Sequence, residues 1–107
     1  MNLSELAHVR TGDKGDTSQI SVIAFDEADY PLLAEQVTPE RVRAHLRLRD
    51  CAIQRYELPG LGALNFVIGG ALEGGVTRSL AIDPHGKTLG SQLLSLAIPG
   101  RINANNE

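Results

Sequence analysis

A chain of 107 residues with a net charge of −3 suits one domain and gives no general reason to expect nucleic acid or an anionic membrane as partner. Hydrophobic residues make up 42% of it and aromatic residues only 4%, so a core of Leu, Ile, Val and Ala is expected. The single cysteine, Cys51, excludes an intrachain disulfide; no apolar run approaches the roughly 18 residues of a membrane helix; and Met1-Asn2-Leu3-Ser4-Glu5 has neither the basic nor the long apolar region of a signal peptide, so a cytoplasmic protein is expected.

Leu3 to Val9 reads as a first strand, with His8 interrupting the alternation. The stretch that follows, Arg10-Thr11-Gly12-Asp13-Lys14-Gly15-Asp16, packs charge between two glycines and reads as a charged loop. Gly12 and Gly15 permit sharp turns, and Asp13 and Asp16 can accept backbone N–H groups within them. Such a loop is either a connection that satisfies its own backbone or an anion site, with Lys14 and Arg10 as counter-charges. It lacks the G-x-x-x-x-G-K-[ST] pattern of a phosphate-binding P-loop. Gly12-Asp13-Lys14-Gly15 matches the G-x-x-G of KH domains, but that pattern joins helices and here the flanks read as strands.

Gln19 to Phe25 reads as a strand; its near-continuous apolar run, Ile20, Val22, Ile23 and Phe25, predicts a central position buried on both faces. Asp26 to Asp29 and Pro31 open a helix whose apolar face is Leu32, Leu33 and Val37. Thr38-Pro39-Glu40 restarts the helical signal, so two consecutive helices with a bend near Thr38 are expected, the second running to about Arg49. Arginines 41, 43, 47 and 49 read as a solvated face paired with acids such as Glu40 and Asp50, and His45 has no partner visible in sequence.

Cys51 to Leu58 reads as a third strand, ended by Pro59-Gly60. Cys51 has no adjacent base and reads as an inert thiol. Leu61 to Leu72 fits helical spacing, while Asn65-Phe66-Val67-Ile68 also suits a strand; a buried helix closed by Gly74-Gly75 is the expectation. Val76 to Ile82 reads as a strand, Asp83-Pro84-His85-Gly86 as a turn, Lys87 to Ile98 as a helix, and 101–107 as a polar tail beyond a single domain spanning 1–100. The elements together predict an α+β fold: a mainly antiparallel sheet of about four strands with helices on one face.

Four motifs in order then carry a resemblance: Arg10 to Gly15; Tyr56-Glu57-Leu58-Pro59-Gly60-Leu61-Gly62-Ala63-Leu64-Asn65-Phe66; Gly74-Gly75-Val76-Thr77-Arg78-Ser79-Leu80; and Asp83 with Gly86-Lys87. From about residue 6 to residue 96 the chain resembles the small C-terminal domain of the acyclic terpene utilisation protein A (AtuA) family. The resemblance implies a ferredoxin-like α+β fold and a setting in bacterial catabolism of terpenoids or other compounds handled as acyl-CoA thioesters. The chain departs from the fuller proteins in lacking their large preceding domain, so a stand-alone protein is expected. It also carries Asp16 where the family more often has asparagine, which makes the loop more acidic.

Two functions follow as expectations. One is an accessory or binding domain acting with a larger catabolic partner. The other is a small enzyme acting on an acyl-CoA or organic acid through Arg10, Thr11, Gly12, Asp13, Lys14, Gly15 and Asp16, joined by Asn65, Thr77, Arg78 and Ser79. There Asp13 is the acid/base candidate and Lys14 the electrostatic one. Neither reading calls for a metal or cofactor. An RNA-binding sheet would need aromatic residues in its strands that are lacking here. A sheet covered on one face leaves the other in need of a cover, so a homo-oligomer is expected.

Overall fold

The computed structural model describes residues 1–14, 17–49, 51–69 and 89–99. Four strands, β1 (Ala7–Lys14), β2 (Thr17–Ala24), β3 (Ala52–Leu58) and β4 (Ala63–Gly69), form one antiparallel sheet in the order β1-β2-β4-β3. Helices α1 (Tyr30–Gln36), α2 (Pro39–Leu46) and α3 (Leu89–Leu93) belong to the second layer. This is the two-layer α+β architecture that the patterning predicts.

Strand alternation decides which face is covered. In β2, Ser18, Ile20 and Val22 are buried while Gln19 is exposed. Their ladder partners share that face: Val9 and Thr11 on β1, then Leu64, Phe66 and Ile68 on β4, then Ile53, Arg55 and Glu57 on β3. Leu33, Val37, Val42, Leu46, Leu89 and Leu93 of the helical layer complete this core, and Phe66 adds a fully buried ring to its aliphatic residues.

The bend at Thr38 is as expected: Thr38 Oγ1 accepts from Arg41 N at 3.1 Å and Pro39 opens α2. Asp26 likewise caps a short turn, accepting from Ala28 N at 2.9 Å.

Several expected boundaries are corrected. Leu3–Glu5 is a 3-10 turn, and the first strand begins at Ala7. That strand runs on through Lys14, so most of the expected charged loop is hairpin arm. Thr11 faces Ile20 and Lys14 pairs with Thr17, which engages this part of the backbone in a ladder; Gly15 and Asp16 lie outside the described residues. The second strand is central but buried on one face; Ile23 is half-buried and Phe25, just past the strand, is 54% exposed.

The expected buried helix over 61–72 is overturned: Ala63–Gly69 is strand β4, with Leu64, Phe66 and Ile68 turned inward and Asn65 and Val67 outward. The two-residue period and the β-favouring Phe66-Val67-Ile68 run override a helical spacing weakened by glycine. Gly62, at φ +60°, makes the left-handed step into this strand, and its carbonyl accepts from Ala24 N at 2.9 Å.

Helix α2 stops at Leu46, short of Arg49, because Arg47 adopts a left-handed conformation (φ 58°, ψ 43°) that lets Leu48 turn into the core. Helix α3 ends at Leu93, short of Ile98. The chain after it is tied to the N-terminus instead: Leu3 N donates to Leu96 O at 2.9 Å and Ile98 N to Met1 O at 2.7 Å. The expectations for 70–88 and 101–107 lie outside the described residues.

Candidate functional site

On the sheet's outer face residues of the first two motifs lie side by side. The ladder register aligns one residue from each strand into a row: Arg10 beside Ser21, Ser21 beside Asn65, Asn65 beside Tyr56. Ser21 Oγ donates to Asn65 Oδ1 at 3.1 Å, which fixes the Asn65 amide across the central strand pair. At the ends of the row Arg10 is exposed and Tyr56 is 48% exposed, with its hydroxyl donating to Gln54 Oε1 at 2.8 Å.

A second row, Gly12, Gln19, Val67 and Gln54, lies on one side of the first. A third, His8, Ile23, Ala63 and Leu58, lies on the other. The His8 ring meets Phe25 edge-on at 4.4 Å, so this end of the face is apolar and aromatic, with Leu58 40% exposed. The described face therefore carries a cation at one edge, a phenol at the other and an apolar end.

Of the expected site residues, Arg10, Gly12 and Asn65 meet on this face. Thr11 points the other way, against Gly90 of α3, where a Cβ added to Gly90 would overlap Thr11 Cγ2. Asp13 and Lys14 contribute the last two residues of the β1 ladder. Gly15, Asp16, Thr77, Arg78 and Ser79 lie outside the described residues. Ser21 and Tyr56 were missed by sequence reasoning; the signal that finds them is the strand register, which becomes legible only once 63–69 is known to be a strand.

Arg41, Arg43 and Arg55 serve the fold. Arg55 Nη1 donates to Ala34 O at 2.7 Å and Val37 O at 3.0 Å, capping the end of α1, while Nη2 pairs with Glu57 at 2.7 Å. Arg41 Nη2 donates to Ala97 O at 2.6 Å and Arg43 Nη2 to Cys51 O at 2.8 Å. The expected pairing of these helix arginines with acids is thus replaced, for Arg41 and Arg43, by bonds to carbonyl groups. Arg43, Arg47 and Arg49 also line an open depression of about 470 Å³ together with Glu40, Ala44 and Leu48. His45, expected without a partner, has two: its Nε2 lies 3.0 Å from Gln92 O and 2.9 Å from Ser95 Oγ. Cys51 is a buried free thiol.

No group of three or more metal-ligating side chains occurs among the described residues, and none of their helices is long and apolar enough to cross a membrane. No curated protein and no solved structure shows significant similarity to the chain. A family model described as the AtuA ferredoxin-like domain matches residues 1–99, nearly the whole length, and the chain therefore belongs to that family.

Proposed function

We propose that this protein is an accessory binding subunit, rather than a self-sufficient enzyme, in the bacterial catabolism of terpenoids or other acyl-CoA-type compounds. Its working surface is the open face of the sheet, through which it joins an assembly. The family supports the setting. The observation that carries the reading is the row Arg10, Ser21, Asn65, Tyr56, which displays its groups across four strands and is exposed at both ends. Catalysis and small-ligand capture favour concave sites that exclude water, whereas an exposed, mixed polar and apolar sheet face suits a macromolecular partner. Both described histidines of the chain are engaged elsewhere: His45 is bonded within the helical layer and His8 stacks on Phe25.

The test is native mass determination on the tagged protein recovered from its host, beside the Arg10→Glu and Tyr56→Ala variants. Wild type is expected in an assembly larger than the single chain, and both variants in a smaller one. Variants that assemble like wild type, or turnover of acyl-CoA thioesters by the purified chain alone, would sink this reading.

A further inference from the structure

Gly12, on the outer face, has no explanation among the described residues. It lies inside β1 and is not among the described glycines with positive φ. A Cβ built on it meets nothing within 4 Å, so no described neighbour requires the missing side chain. Glycine inside a strand weakens it, and its usual reasons are a bulge, a bend or the close approach of another backbone or ligand. The β1–β2 ladder keeps its register on both sides of Gly12, which leaves close approach from outside. Gly69, the last residue of β4, presents the same open space on this face.

We infer that the occupant of this face is a second copy of the chain, packed sheet on sheet about a two-fold axis that runs along the strands midway between the two faces. This inference rests on the open face being the working surface. Such an axis lays β1 over the partner's β3 and β2 over the partner's β4, and it keeps every row over itself. The residues then complement one another row by row. Arg10 lies over the partner's Tyr56, a guanidinium above an exposed phenol ring. Ser21 lies over the partner's Asn65. In the flanking rows Gly12 faces the partner's Gln54 and Gly69 the partner's Thr17. Both contacts set a small residue against a larger one, the alternation that lets two faces interdigitate.

The free guanidinium fits the same arrangement. Among the described residues Arg10 makes no hydrogen bond or ion pair, and the described residues of the face offer it an exposed aromatic ring and no carboxylate. Packed sheets cross at about −30°, which shifts the outer strands by about one residue and leaves the central β2–β4 contacts in place. The face measures roughly 20 by 25 Å in plane from standard strand spacing and rise, at the small end of specific interfaces.

The test is light scattering or sedimentation of the purified chain across micromolar concentrations, beside Gly12→Arg, Arg10→Glu and, as a control on the exposed surface of α2, Ala44→Arg. Wild type and Ala44→Arg should dimerise alike. Gly12→Arg, which meets open space in the single chain, should melt like wild type yet raise the dimer Kd by roughly tenfold or more, and Arg10→Glu should do the same. A monomeric wild type, or a dimer that both face variants leave intact, overturns the inference. If the purified wild type is monomeric but the face variants still lose a different protein recovered from the host, the dimer falls and the binding-subunit reading stands. If the face variants change neither assembly, both fall.

Discussion

Gly90 is where the helical layer comes closest to the sheet. A Cβ there would overlap Thr11 Cγ2 and lie 3.0 Å from Val9 Cγ1. Gly90→Ala should therefore cost about 1–3 kcal/mol, the usual penalty for adding a group to a filled contact. In a Thr11→Ala background most of that loss should disappear, and thermal melting of the two singles and the double reads the coupling. Equal losses in both backgrounds would mean that the cost lies elsewhere. Arg55 makes a sharper case. Its side chain is 17% exposed, and it holds two carbonyls at the end of α1 with one nitrogen and Glu57 with another. Arg55→Lys should not substitute, because a single ammonium cannot span a planar fork; a loss of about 1.5–3 kcal/mol in chemical denaturation is expected. A lysine variant as stable as wild type would show that charge alone suffices. At this scale the sequence showed Arg10 and Asn65 through their motifs. It did not single out Ser21, or Tyr56 within its motif, as site residues, since a residue's neighbours across a sheet depend on register, which no local spacing encodes.

Among the elements, the end of α2 is held by an unusual residue. Arg47 takes the left-handed conformation normally left to glycine, and Leu48 N reaches back to Arg43 O at 3.0 Å. Arg47→Gly relieves the Cβ strain at the expense of a more flexible unfolded chain, so a net gain of up to about 1 kcal/mol is expected. A destabilised Arg47→Gly protein in the same melting assay would show that the arginine side chain itself holds the turn. The legibility of elements followed their local chemistry. Thr38-Pro39 announced the helix break because a cap and a proline act within one turn. Leu61 to Leu72 misled because leucines at 61, 64 and 72 mimic a helical stripe. Leu61 is in fact 69% exposed, and the inward set is Leu64, Phe66 and Ile68. The charged stretch at 10–16 misled for a different reason: polar residues were read as loop, whereas at the outer end of an edge strand polar side chains are the ordinary occupants.

For the molecule as a whole, Phe66 sits at the centre of the covered face with no exposure, between Ile20 and Arg55 in the ladder. Phe66→Ala should cost about 3–5 kcal/mol, a large part of a small domain's stability, and the variant should unfold early in urea. A loss below about 1 kcal/mol would mean that the core can collapse around the gap. The α+β class was readable in advance because two-residue and helical periods alternate along the chain. The strand order was not, since it depends on which hairpin edges meet.

The ties between the first residues and the segment after α3 bear on how the chain reaches this state. Hairpins β1–β2 and β3–β4 join strands close in sequence and can form soon after synthesis. Leu3, fully buried, has its amide bonded to Leu96, and the amino group of Met1 lies 3.2 Å from Ile98 O, a closure spanning 97 positions. A ribosome that has released only the four strands therefore holds a sheet whose core is still open at one end. Contacts of such long range are slow to form, and the last step of folding waits for the final helix to come back to the first residues.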